Sequence, residues 1–202
     1  MISINGKIVN LDITYLDLSN NKLTQIPVEV WQLTQLTTLD LSRNYITILP
    51  EEVGKLTQLT TLNLAGNYLT ILPVEVEQLT NLTTLNLSNN YLLQLPVELF
   101  KLTQLTTLNY SYNNLIKIPA RIGHIVEETT LLLPVELFKL TQLTKLYLTG
   151  NKLTTLPIEI GQLTQLTTLY LDCNNLTVLP VEMEKLTHLT TLNLDCNMIE
   201  NK

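Results

Sequence analysis

Apolar residues recur along this chain in a fixed frame. The frame is L-x-x-L-x-L-x-x-N-x-L, as in Leu59, Leu62, Leu64, Asn67 and Leu69, or Leu166, Leu169, Leu171, Asn174 and Leu176. Its x-Leu-x-Leu alternation has period two, which predicts a short strand with one buried face. A Leu-Pro pair and a second apolar set follow: Val76 and Leu79 after Pro73, Ile160 and Leu163 after Pro157. Apolar positions three and six after the proline give the return segment one buried side. The proline itself, with fixed φ and no N–H to lose, suits the start of a short helix or 3₁₀ turn.

The frame repeats throughout. The prolines Pro27, Pro50, Pro73, Pro96, Pro119, Pro134, Pro157 and Pro180 are spaced 23, 23, 23, 23, 15, 23 and 23 residues apart. Asn21, Asn44, Asn67, Asn90, Asn113, Asn151, Asn174 and Asn197 keep the step of 23, except for 38 between Asn113 and Asn151. Each asparagine is expected to turn inward, its amide bonding backbone groups that the bending chain leaves unpaired; repeated, it becomes a ladder. One unit cannot bury its own apolar face, whereas stacked units share a continuous core. Parallel strands in successive units need a crossover, which the rest of each repeat supplies.

These residues resemble the leucine-rich-repeat superfamily over about residues 11–199. The stretch Leu156-Pro-Ile-Glu-Ile-Gly-Gln-Leu163 is similar to the 23-residue Ras-suppressor-like and bacterial intracellular repeats. The resemblance implies an α/β solenoid: a right-handed curved horseshoe with a parallel concave sheet of about eight strands. Its convex side would carry short helical or 3₁₀ segments, and a protein partner would be recognised on the concave face. A fold of this kind says little by itself about what is bound.

On the concave face the pleat sends alternate residues outward in columns. One column begins Tyr15 and Thr38, and the next Asp17 and Asp40; a third runs Ser19, Ser42, Ala65, Ser88, Ser111, Thr149, Asp172, Asp195. Before the ladder asparagine lie Asn20, Arg43, Gly66, Asn89, Tyr112, Gly150, Cys173 and Cys196; after it lie Lys22, Tyr45, Tyr68, Tyr91, Asn114, Lys152, Asn175 and Met198. Tyr45, Tyr68 and Tyr91 are expected to stack as a strip, either bracing the ladder or receiving a partner. Tyrosine buries area while keeping a polar tip, which suits an interface. The middle repeats are nearly uniform in Thr, Asn and Ser, so specificity is sought where columns diverge. The candidate contacts are Asp17, Lys22, Asp40, Arg43, Tyr45, Tyr68, Tyr91, Tyr112, Lys145, Tyr147 and Tyr170. On the outer side, Glu29, Glu52, Glu75, Glu98, Glu136, Glu159 and Glu182 form a column read as a solvated face. Trp31, Phe100 and Phe138 beside it are read as partly covered packing.

The chain is read as one domain over 1–202. Residues 1–10 form an N-terminal hairpin cap, since Asn5-Gly6 is a strong two-residue turn signal. Residues 120–133 break the period. Either Thr129 to Leu133 is a ninth strand followed by an eight-residue deletion, or the stretch is an excursion on the convex side. Reach favours the excursion: eight extended residues span roughly 25 Å, about the crossing that Leu133-Pro134 would otherwise lack. A ninth strand would also put Glu128 where a buried leucine belongs. The excursion is either a degenerate repeat or a binding loop presenting Arg121, His124 and Leu131–Leu133. No polar cap follows Asn197, so the last layer is partly open, or the chain is truncated, or the end meets a partner. A monomer is expected, with end-to-end association through that layer as the alternative.

Composition narrows the function. A net charge of −6 with 12 Lys and Arg argues against nucleic acid and against an anionic membrane. No leader or apolar span is visible and there are only two cysteines, so a reducing cytoplasm is expected. Two histidines without a Ser or Cys partner, and six glycines without a phosphate loop, suggest no enzyme and no cofactor. Asp172-Cys173 and Asp195-Cys196 fall side by side and read as free thiols, a strained disulfide or a metal pair, the free thiols being preferred and no metal assigned. A protein-binding scaffold is therefore expected. The alternatives are an ice or glycan binder using the Thr and Asn ladders, or the substrate-recognition arm of a larger enzyme.

Overall fold

The computed structural model describes residues 1–4, 6–93, 96–115 and 139–199. Eight strands form one parallel sheet: β3 (Tyr15–Asp17), β4 (Thr38–Asp40), β5 (Thr61–Asn63), β6 (Thr84–Asn86), β7 (Thr107–Asn109), β8 (Lys145–Tyr147), β9 (Thr168–Tyr170) and β10 (Thr191–Asn193). Each pairs with its sequence neighbour, and the central leucines sit opposite one another, Leu39 facing Leu62 and Leu62 facing Leu85. The step of 38 residues is absorbed without loss of register, because β7 pairs directly with β8, Thr107 opposite Lys145 and Leu108 opposite Leu146. The segment 120–133, with Arg121, His124, Pro119, Pro134, Glu136 and Phe138, lies outside the described residues.

Return segments are single 3₁₀ turns of five residues, such as Val28–Gln32, Glu51–Lys55 and Val74–Gln78. Each described turn follows a proline that remains extended, with ψ of 131° to 159°. The proline is thus the cap and not the first turn residue, and its carbonyl accepts the first turn bond, as Pro50 does from the Val53 N–H at 3.1 Å. The core is a column of layers. Leu59, Leu62, Leu64, Leu69, Val76 and Leu79 are all fully buried, and Trp31 and Phe100 join them at 5% exposure. The described glutamates of the outer column are half-buried, so their stems lie against the turns.

At the N-terminus, β1 (Ile2–Ile4) and β2 (Lys7–Val9) pair antiparallel, Ile4 opposite Lys7, around Gly6 at φ +76°. Ile4 is buried in the core, with Ile2 and Val9 packed against it. At the other end Leu192 is 42% exposed, whereas the equivalent Leu169 is fully buried.

The asparagine ladder is a backbone device. Asn67 donates from Nδ2 to the carbonyls of Leu41 and Leu64, both at 3.0 Å, and its Oδ1 accepts the Ile46 N–H at 3.0 Å. Asn44, Asn90, Asn113 and Asn174 repeat this pattern. The rung at Asn151 is incomplete. Its Nδ2 bonds Tyr110 and Leu148, but its Oδ1 has no partner among the described residues. The Tyr110 hydroxyl beside this seam is buried and likewise has no partner among the described residues.

A second ladder went unrecognised in the sequence. The first threonine of each Leu-Thr-Thr-Leu donates its hydroxyl to the equivalent carbonyl one repeat back, Thr60 to Thr37 and Thr83 to Thr60, each at 3.0 Å. The signal was the invariance of that threonine, which alternation alone does not explain.

Candidate functional site

Two neighbouring columns build the site. The residue before each ladder asparagine is held in the left-handed region, with φ of +54° at Asn20, +55° at Arg43, +65° at Gly66, +55° at Asn89, +54° at Tyr112, +65° at Gly150, +53° at Cys173 and +56° at Cys196. This conformation turns the chain off the strand so that the asparagine can point inward. Asn and Gly adopt it at little cost, whereas Arg, Tyr and Cys do not. Sequence reading treated this column only as outward contacts and missed its backbone requirement, although the alternation of Asn and Gly carried the signal.

The residue after the asparagine stands beside it on the same rim. Tyr45 and Tyr68 stack with ring centroids 5.9 Å apart and planes 13° apart; Tyr68 and Tyr91 lie 5.9 Å apart with a tilt of 36°. The rungs fix this spacing, because the Tyr45, Tyr68 and Tyr91 N–H groups donate to Leu23, Ile46 and Leu69. The three rings are 45%, 45% and 51% exposed, and Tyr112 is 55% exposed. The Tyr112 ring covers Gly150, where a Cβ would lie 2.5 Å from Cδ1, so only glycine fits beneath it. Together Arg43, Tyr45, Tyr68, Tyr91 and Tyr112 line an open depression of about 510 Å³, with Asn20, Gly66 and Asn89 completing its floor. The walls are aromatic and amide, and among the described residues Arg43 is the one charged lining residue.

The other candidates lie elsewhere. Tyr147 and Tyr170 form a separate stacked pair on β8 and β9, 5.3 Å apart, with exposed Lys145 on the same strand as Tyr147. Lys22 is exposed at the head of the tyrosine column but does not line the depression. Asp17 and Asp40 are engaged with their own backbone. Asp17 Oδ1 accepts the Ser19 N–H at 2.8 Å, and Asp40 Oδ1 accepts the Ser42 N–H at 2.8 Å. Asp40 Oδ2 also accepts Asn63 Nδ2 at 3.0 Å. Asn63, Asn86 and Asn109 make the same two-residue turn, which accounts for the uniformity of that column. Hydrogen bonds from the Ser19 side chain and then its backbone hold the Asp17 carboxyl below its ordinary value.

In the third column Ser42, Ser88, Ser111 and Thr149 are buried. Ser88 Oγ donates to Asn86 Oδ1 at 2.9 Å and Thr149 Oγ1 to Asp172 Oδ1 at 2.8 Å, so these two hydroxyls are tied to neighbouring side chains. His188 is exposed, and its ring nitrogen lies 3.1 Å from the Thr164 carbonyl oxygen, where Asn81 makes the equivalent bond to Thr57. Among the described residues no three metal-ligating side chains converge, and no helix is long and apolar enough to cross a membrane.

Two family models match, "Leucine rich repeat" over residues 12–69 and 164–201, and "Leucine Rich repeats (2 copies)" over 57–101 and 141–181. The chain belongs to the leucine-rich-repeat family. Among solved structures, a leucine-rich-repeat protein of Leptospira interrogans is 38% identical, with a TM-score of 0.72 over 92% of this chain. The ectodomain of the Arabidopsis thaliana membrane receptor kinase GASSHO1/SCHENGEN3, in complex with CASPARIAN STRIP INTEGRITY FACTOR 2, is 34% identical, with a TM-score of 0.70 over 85%. The plant peptide hormone receptor RGFR1, in complex with RGF2, is 31% identical, with a TM-score of 0.70 over 85%. This leucine-rich-repeat chain spans 55% of the Leptospira protein's length and 20% and 26% of the two plant chains. No curated protein matches it.

Proposed function

We propose that this leucine-rich-repeat chain is a non-catalytic scaffold that binds a protein or peptide partner on its concave rim, with the depression walled by Tyr45, Tyr68, Tyr91, Tyr112 and Arg43 as the primary contact. The observation that carries the reading is the placement of Arg43 and Tyr112. Both occupy backbone positions that favour Asn or Gly, at a cost of about 1 kcal/mol each, and both line the same exposed aromatic depression. Residues held in such disfavoured backbone conformations cluster at binding surfaces. Similar solved proteins bound to CASPARIAN STRIP INTEGRITY FACTOR 2 and to RGF2 support binding as the general role. The Tyr147–Tyr170 pair with Lys145 serves as a second contact further along the sheet, and Asp17, Lys22 and Asp40 flank the first. The chain acts as a monomer in the cytoplasm.

Affinity capture from cell extract, using the full chain and a Tyr45→Ala/Tyr68→Ala/Tyr91→Ala variant, tests this. Loss of specific partners from the variant, with the circular dichroism spectrum retained, supports the depression. Identical partner sets would remove it. Tyr147→Ala/Tyr170→Ala in parallel separates the two contacts.

A further inference from the structure

Cys173 and Cys196 hold the same place in adjacent repeats, each between an aspartate and a ladder asparagine. Their strands β9 and β10 pair in register, Thr168 opposite Thr191 and Tyr170 opposite Asn193. The Cys173 N–H donates to the Asp195 carbonyl at 2.8 Å. Both residues hold the same left-handed backbone, with φ of +53° and +56°. Neighbouring strands lie about 4.8 Å apart, within the Cα separation of roughly 4.4–6.8 Å that a disulfide spans.

Neither packing nor backbone preference explains cysteine here. Free cysteine is among the most buried residue types, yet both of these are exposed. The left-handed backbone disfavours it, and Asn fills this position at Asn20 and Asn89. What the two positions share is each other. The Cys173 thiol is pushed above its ordinary value first by a hydrogen bond with Cys196, with Asp172 and Asp195 adding to the shift in the same direction. The same two carboxylates draw in cations.

We propose that Cys173 and Cys196 are a dithiol site that a small cationic disulfide oxidises to an intramolecular disulfide. One cysteine thiolate attacks the reagent's S–S bond, forming a mixed disulfide and releasing one small thiol. The second thiolate then attacks the protein sulfur of that mixed disulfide and releases the other small thiol. The protein loses two electrons and two protons, and the reagent is reduced to two thiols. The bond ties the repeat containing Leu192, whose layer is the least covered, to the repeat before it.

Incubating the full chain with cystamine, and separately with glutathione disulfide, tests this by intact mass and hydrogen exchange. Cystamine should remove two hydrogens from the monomer without leaving an adduct, faster than glutathione disulfide and increasingly fast as the pH rises. Cys173→Ser and Cys196→Ser should each retain one cysteamine adduct. Amide exchange across residues 189–197 should slow by about two orders of magnitude on oxidation, the scale expected for closing a loop of this length. Stable adducts on both thiols, disulfide-linked dimers, or glutathione disulfide reacting as fast as cystamine would overturn the proposal, as would unchanged exchange in the oxidised chain.

Discussion

Replacing Asn67 by alanine isolates what the ladder contributes. The side chain is 2% exposed and makes three hydrogen bonds near 3.0 Å, two to carbonyls and one from an N–H. Truncation strands the Ile46 N–H within the stack, which costs about 1–3 kcal/mol. The Leu41 and Leu64 carbonyls each keep one amide donor, Asn44 at 2.9 Å and Asn90 at 3.0 Å, so each of those lost bonds costs about 1 kcal/mol. The total is about 4 kcal/mol, and a cavity in a close-packed layer adds to it. Asn21 provides the control, since it is exposed and its amide makes a single bond to Ser19 at 2.9 Å; Asn21→Ala should cost less than about 1 kcal/mol. Asn151→Ala should fall between them, because its Oδ1 has nothing to lose among the described residues. Urea unfolding followed by far-UV circular dichroism reads the series. With a slope of about 2 kcal/mol/M, Asn67→Ala should lower the midpoint by about 2 M. Equal midpoints for the Asn67 and Asn21 variants would refute the argument, since the ladder would then be ornament on a stack held by leucine alone.

Three further outcomes follow from the same geometry. Arg43→Asn relieves the left-handed strain and should raise the melting temperature by about 2–4 °C while weakening partner capture; a lower melting temperature would place Arg43 in the fold instead of the site. Tyr110→Phe removes a buried hydroxyl without a partner among the described residues and should be neutral or stabilising by about 1 kcal/mol by thermal melt; a loss above that would reveal a bond to the hydroxyl. Asp17 has a lowered carboxyl value, so its contribution is present above the ordinary 3.8 and lost as the pH falls through the lowered value. Comparing wild type with Asp17→Asn, the difference in melting temperature should shrink as the pH drops below 3.8, and a carboxyl titration by NMR that shows an ordinary value would dismiss the Ser19 bonds.

Much of this architecture was legible because a repeat exposes its own grammar. Leucines at fixed offsets gave the strands, and the step of 23 gave their pairing. The buried amide of each Asn could mean little except a ladder. The turn chemistry was harder to see. Asp17 and Asp40 looked like contact residues because alternation places them outward, but a short carboxylate two residues before a free N–H closes a turn first and meets partners second. The column of Arg43, Tyr112, Cys173 and Cys196 was hidden for a related reason. Its backbone demand is written by Asn20, Gly66, Asn89 and Gly150, and the other four disguise it. The burial of Ser42 has no signature in hydropathy.

The seam between β7 and β8 has a mechanical consequence. In a stack where each layer touches only its neighbours, cohesion is set junction by junction. Most junctions are pinned by a filled amide rung; at this one the Asn151 oxygen and the Tyr110 phenol have no partner among the described residues. Pulled from its ends or warmed slowly, the rod should part there, giving two blocks with separate melting behaviour in place of one.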